Sequence, residues 1–263
     1  LLQRALYQSE KLHQAASDSD GKLIIVRNQA TLNQLSDNLA PRDGRLLALL
    51  ATEGLHPLEG KLDNLDRLYD AGFRITGLTH FFDNEVGGSA RGWDKGGITS
   101  FGRQVVQRLN EKNIIIDLAH ASPALIDDVL SLTRKPVIVS HTGVQGTCPG
   151  PRNLSDAQLR AIGRNGGIVG IGFFEGALCA MTPHGIARAI RHAVSIAGIQ
   201  HVALGSDFDG ATRAVFDARG MPLLTQALMD EGFNDQEIAD LMGHNVLRFL
   251  KNMAEQRALN LVL

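Results

Sequence analysis

Five acidic or imidazole side chains stand at the carboxyl ends of short apolar runs. Glu53 closes LLALLATE, His120 closes IIIDLAH, His141 closes VIVSH and Asp207 closes VALGSD, while His80 ends FRITGLTH. Imidazole nitrogen and carboxylate oxygen are donors that zinc favours, so Glu53, His120, His141 and Asp207 point to a zinc site. Zinc at such a site would do hydrolytic chemistry with an activated water. Taken singly, each residue has a plainer reading. A histidine after a strand can be a hydrogen-bonded structural residue, and an acid there often caps the next helix. That reading must hold independently at five strand ends, whereas a metal site accounts for them together.

The elements that must position these residues follow one pattern. From residue 46 onward, β-rich apolar runs alternate with longer helical segments, the signature of βαβ units around a parallel sheet. The runs are RLLALLATEG, FRITGLTH, NIIIDLAH, PVIVSHT, GGIVGIGFF and HVALGSDFDG. Each is nearly continuously apolar, as a strand covered on both faces must be. The helical segments NLDRLYDAG, SFGRQVVQRLNEKN, SPALIDDVLSLTRK, SDAQLRAIGRNG and HGIARAIRHAVSIAG lie between them, several opening on a capping residue and closing on Gly or Asn. In such folds, residues at the carboxyl ends of the strands converge on the active site.

A closed barrel needs eight strands, and these runs make six. An earlier run, KLIIVRN, and the helical opening LLQRALYQSEKLHQAA are assigned to a peripheral extension over residues 1–45 of a single domain spanning 1–263. Either two strands precede residue 1 or the sheet is open. The tail KNMAEQRALNLVL reads as a last helix with a short apolar end.

Other residues carry less. His13, His184, His192, His201 and His244 fall in or beside helical segments and receive no role, and His56 stands before Pro57 in a loop. Asp209 would face away from Asp207 on a continuing strand, which suits capping or a supporting hydrogen bond. From its neighbours alone, Arg152 reads as a surface arginine beside Asp156. GIVGIGFFEG lacks the spacing of a dinucleotide loop. The formal net charge of −2 argues against nucleic-acid binding, and no run is long and apolar enough for a membrane span.

The segments ATEG, LTHFFDNEVGGSA, GGITSFGRQVVQRLNEKNIIIDLAH, SHTGVQGTCPGPRNLSD and GSDFDG, in this order, resemble the membrane (renal) dipeptidase family, peptidase M19. The resemblance covers nearly all of the chain after about residue 45. It implies a (β/α)8 TIM-barrel metallohydrolase with two zinc ions and a small dipeptide substrate. By the same resemblance, Glu53 matches a carboxylate bridging both metals, and His120 and His141 complete the second metal site. Asp207 matches a ligand of the first metal that also handles protons. His80 matches a histidine at the scissile carbonyl and its oxyanion, and Arg152 an arginine that binds substrate. A metal-activated hydroxide would attack the peptide bond.

One departure stands out. The family's first strand ends in His-x-Asp, which supplies two ligands of the first metal, and no His-x-Asp occurs in this sequence. With the strand count, this predicts a barrel lacking its first strands and a chain holding close to one zinc, not two. Two other functions stay open at this level: an amidohydrolase acting on a lactone, cyclic amide or β-lactam ring, and a metal-poor, non-catalytic binding protein. A homodimer is implied only by the family. Cys148 and Cys179 match positions that form a disulfide in some members, and such a bond would indicate an exported, periplasmic protein.

Overall fold

In the computed structural model, residues 1–28, 31 and 44–259 are described, with side chains through residue 253. Residues 29–30, 32–43 and 260–263 lie outside the described residues. Two short strands open the wall: β1 (Leu23–Ile25) pairs in parallel with β2 (Leu46–Ala48). Past Leu49, the chain of β2 runs on as β3 (Leu50–Thr52). That strand begins a parallel sheet continued in chain order by β4 (Phe73–Gly77), β5 (Ile115–Asp117), β6 (Ile138–Thr142), β7 (Ile168–Ile171) and β8 (Val202–Leu204).

The run RLLALLATEG, expected as one strand, is therefore divided. Its first half pairs with β1 and its second with β4, the partner changing at Leu49, and the register of the second pairing shifts between Leu50 and Ala51. KLIIVRN, expected in a peripheral extension, supplies β1 and lies against the wall. Backbone bonds from Val26 N to Ala48 O (2.8 Å) and from Leu46 N to Lys22 O (2.7 Å) lengthen that pairing.

Among the described residues the helices are α1 (Leu2–Ser17), α2 (Asp63–Asp70), α3 (Ser100–Lys112), α4 (Pro123–Leu132), α5 (Asp156–Asn165), α6 (Pro183–Ala197), α7 (Met221–Asp230), α8 (Asp235–Ala239) and α9 (Asn245–Leu259). Helices α4 to α7 pack side by side in chain order. The sequence explains where they begin. Ser122 accepts from Leu125 N, Thr182 accepts from Gly185 N, and Ser155 with Gln158 forms a reciprocal capping box. Helices α7 and α8, which the sequence reading left unassigned, follow the last strand.

The two ends of the sheet differ. At the amino ends of the strands, Phe249 and Met253 of α9 close a small apolar cluster with Ile115, Ile168 and Ala203. Asn245 fixes α9 there by donating to Ile199 O and Val202 O, each at 2.7 Å. The carboxyl ends are left free for polar side chains. Strands β6, β7 and β8 approach so closely there that a Cβ on Gly170 or Gly205 would sit 2.2 Å from Ser140 O. Glycine is required at both positions. Among the described residues, β3 and β8 form no ladder with each other. The architecture is that of a (β/α)8-type barrel wall, with its site at the carboxyl ends of the strands.

Candidate metal centre

Three side chains carried by β3, β5 and β6 meet at this end. Glu53 follows β3, His120 stands three residues past β5, and His141 lies within β6. His120 Nε2 is 2.9 Å from Glu53 Oε1 and 2.9 Å from His141 Nε2, and His141 Nε2 is 3.4 Å from the same carboxylate oxygen. One ligand atom from each residue lies within 4.8 Å of the other two. Both imidazoles are buried, whereas Glu53 reaches into solvent.

Local backbone explains how distant positions meet. The polypeptide leaves β5 in a turn closed by Ala121 N to Leu118 O (3.1 Å), and His120 takes a left-handed φ of 65°. A non-glycine residue adopts that region at a cost and persists there only when its surroundings demand it. The demand is visible. Buried Asp117, the last residue of β5, accepts from Ala119 N and Ser140 N, each at 2.9 Å. These two amides immediately precede His120 and His141, so one carboxylate sets both turns. Burial pushes the Asp117 carboxyl up, against those hydrogen bonds and the Arg152 charge. His141 Nδ1 lies 2.9 Å from Ser140 Oγ, which leaves Nε2 as the nitrogen facing Glu53.

The electrostatics favour the ligand-competent forms. The hydrogen bond from His120, helped by the charges of His80, His120 and His141, holds the Glu53 carboxyl down to about 2. Burial lowers His120 to about 4, against the pull of Glu53. Burial, with the Arg152 guanidinium adding to it, lowers His141 to about 3. Two neutral imidazoles beside an ionised carboxylate form a donor set suited to a borderline-soft divalent cation. The buried Nδ1 of His120 has no hydrogen-bond partner among the described residues. The set therefore fits a metal by its chemistry and its convergence.

The other candidates surround this triad without joining it. His80 follows β4, with Nε2 3.6 Å from Glu53 Oε2 and its ring 4.5 Å from that of His120. Arg152 donates from Nη2 to His141 O at 2.9 Å, and burial pushes it down to about 10. Asp207 takes a left-handed φ of 57°, and burial followed by the Glu53 charge raises its carboxyl. Glu53, His80, His120, Arg152 and Asp207 line one cleft of about 320 Å³.

Asp209, expected to face away from Asp207, lines the same cleft. Its alternation argument needed a continuing strand, and β8 ends at Leu204. The histidines given no role are held elsewhere: His184 by Asp230 (3.0 Å), His192 by Asp156 (2.7 Å), His201 by Gly167 O (2.8 Å) and His13 by Ala71 O (3.0 Å).

Several cleft residues escaped the sequence reading. Phe174 and Glu175 come from the end of the β7 run, set aside because it was no dinucleotide loop; the strand-end rule applied to all six strands would have found them. Phe81 and Arg91 come from the loop between β4 and α3, where no periodicity marks them. A disulfide joins Cys148 to Cys179, with Cα atoms 5.1 Å apart, as the family resemblance implied. It ties the loop bearing Arg152 to the loop bearing Glu175. Beside it, Asn153 accepts from Gly143 N (3.1 Å) and donates to Cys148 O (2.7 Å) and Ala177 O (3.3 Å).

Comparison with known proteins gives a consistent result. A family model described as membrane dipeptidase (peptidase family M19) matches residues 1–261. Dipeptidase aclJ of Aspergillus oryzae is 35% identical over 217 residues, 79% of this chain, and the chain spans 51% of that protein's length. An uncharacterised protein encoded in the pqqA 5' region of Klebsiella pneumoniae is 33% identical over 261 residues, covering 93% of this chain and 94% of its own. A metallopeptidase from Rhodobacter sphaeroides, solved with a phosphinate mimic of the dipeptide L-Ala-D-Ala, superposes with a TM-score of 0.80 at 27% identity. That match covers 92% of this chain and 72% of the other.

Proposed function

Because this chain belongs to the membrane dipeptidase family, peptidase M19, we propose that it is a zinc-dependent dipeptidase cleaving the peptide bond of small dipeptides. The observation that carries this reading is the meeting of Glu53, His120 and His141 within 4.8 Å at the carboxyl ends of parallel strands. A cleft of about 320 Å³, near the lower end of small-ligand sites, is of a size for a dipeptide.

The roles follow from position and charge. Glu53, His120 and His141 would hold the metal, which supplies Lewis acidity and an activated water. His80, beside Glu53 and His120, is placed to hydrogen-bond the carbonyl oxygen as negative charge develops on it. Asp207, whose carboxyl is raised, would accept the water's proton and return it to the leaving amine; in the family pattern it also ligates the other metal. Arg152, cationic and behind His141, would bind the substrate carboxylate.

The Cys148–Cys179 bond supports export to an oxidising compartment such as the periplasm. No helix among the described residues is long and apolar enough to cross a membrane. The deciding experiment pairs metal analysis with hydrolysis of a dipeptide panel and a panel of lactones and β-lactams. Close to one tightly bound zinc and slow cleavage of dipeptides are expected. A zinc-loaded protein that opens only the rings would overturn the dipeptidase reading.

A further inference from the structure

We propose that Arg91 is a specificity-determining residue that selects dipeptides carrying a carboxylate side chain, an inference resting on the dipeptidase reading above. The cleft holds two arginines with different circumstances. Arg152 is half-buried, and its guanidinium is engaged with His141 O. Arg91 is exposed on the cleft wall and pairs with no carboxylate among the described residues. Its guanidinium therefore keeps donors to offer a ligand.

Its position fits a substrate side chain. Arg91 Cζ lies 5.8 Å from the centre of the Phe81 ring, within the range of a cation–π contact. The Phe81 ring is 4.2 Å from that of His80 and 5.6 Å from that of His120. The cation thus stands one aromatic ring outward from the reacting centre. Two extended residues span about 7 Å, so a side chain of a bound dipeptide reaches that distance.

The backbone beneath Arg91 is fixed to the same centre. Ala90 N donates to His120 O at 2.8 Å. Arg91 N donates to Ser89 Oγ at 3.2 Å, and that hydroxyl donates to His80 O. Arg91 thus reaches from a backbone strut joined to both histidines, while its charge stays unpaired by any carboxylate among the described residues.

Glu175, on the facing loop, acts with opposite sign. A Cβ on the adjoining Gly176 would lie 3.7 Å from Arg91 Nη2, so this loop borders the guanidinium. The Glu175 carboxylate weakens the attraction for an anionic group, and its removal should strengthen it.

The test compares kcat/KM for Ala-Asp and Asp-Ala with that for Ala-Ala and Ala-Lys. In the zinc-loaded unmodified chain, at least one acidic dipeptide should be preferred over Ala-Ala by about twofold to fivefold, as a solvent-accessible ion pair provides. Arg91→Gln should bring that ratio near one, Arg91→Lys should retain part of it, Arg91→Glu should favour Ala-Lys, and Glu175→Gln should raise the acidic preference. An unmodified chain without acidic preference, or an Arg91→Gln variant that keeps it, overturns the assignment. If no dipeptide is cleaved, the dipeptidase reading fails separately. Calorimetry with phosphinate mimics of Ala-Asp and Ala-Ala then decides on Arg91, and equal affinities for the two reject it.

Discussion

His120 Nε2 and His141 Nε2 lie 2.9 Å apart, both turned towards the Glu53 carboxylate. Each imidazole is buried and held neutral, so its lone pair is available for a cation across the physiological pH range. His120→Ala or His141→Ala should therefore remove bound zinc and dipeptide hydrolysis together, by more than about a hundredfold, since even outer hydrogen-bond partners of ligands cost 10–100-fold. His184→Ala, whose ring pairs with Asp230 away from the cleft, should change neither. Elemental analysis beside the hydrolysis assay checks this, and normal zinc content in His120→Ala would sink the ligand assignment.

The same burial sets an acid dependence in the metal-free protein. His120 and His141 have folded values of about 4 and about 3, below the ordinary 6.5. Unfolding then takes up protons below pH 6.5. Each histidine removes up to about 1.4 kcal/mol of stability per pH unit as pH falls from 6.5 towards its folded value. Glu53, depressed to about 2 chiefly by its hydrogen bond from His120, adds a loss of the same sign below about pH 4.5. Denaturant midpoints in chelator should fall steadily from pH 6.5 to 4, and His141→Gln should flatten that slope. Equal slopes in the two proteins would contradict the buried, neutral histidine.

Asp117 joins the two histidine turns through Ala119 N and Ser140 N. Asp117→Ala leaves two buried amides without an acceptor and should cost about 2–4 kcal/mol of stability. Zinc affinity should fall as well, by about 10–100-fold, because both histidines proposed as ligands lose their support. Asp117→Asn keeps one acceptor oxygen and should lie between. Chemical unfolding and competitive zinc titration report the two effects, and unaltered zinc affinity in Asp117→Ala would show that the histidines are positioned without it.

The Cys148–Cys179 bond closes a loop of sequence separation 31. A cross-link over such a loop stabilises by about 3–4 kcal/mol in the chain-entropy description. Cys148→Ser with Cys179→Ser should lower the unfolding free energy by that order. It should also raise KM more than it lowers kcat, since the loop of Arg152 is freed while the metal ligands stay in place. Unfolding curves and steady-state kinetics with and without reductant measure both, and a protein indifferent to reductant would count against the prediction.

The sequence by itself determined the fold class and which metal-donor residue types stand at the strand ends. Continuous apolar runs alternating with capped helical segments demand a parallel sheet covered on both faces, because such strands have no polar side to give to water. Ligand-type residues at the ends of those runs must then lie at one end of the sheet, since parallel strands all point the same way. What it could not decide is which of those residues touch. Glu53, His120 and His141 converge while Asp207 stands apart from their cluster, and this depends on strand neighbours, register shifts and the left-handed backbone of His120 and Asp207. RLLALLATEG reads as one strand because its apolar run is nearly unbroken, yet it changes partner at Leu49, a matter of which strand lies beside it. Arg91 and Glu175 reach the cleft on loops whose course is set by long-range bonds such as Ala90 N to His120 O and Glu175 N to Arg213 O. Local pattern encodes which face and which end a residue occupies. Distances between side chains on different strands arise only when the chain closes on itself, and they were decided by tertiary packing.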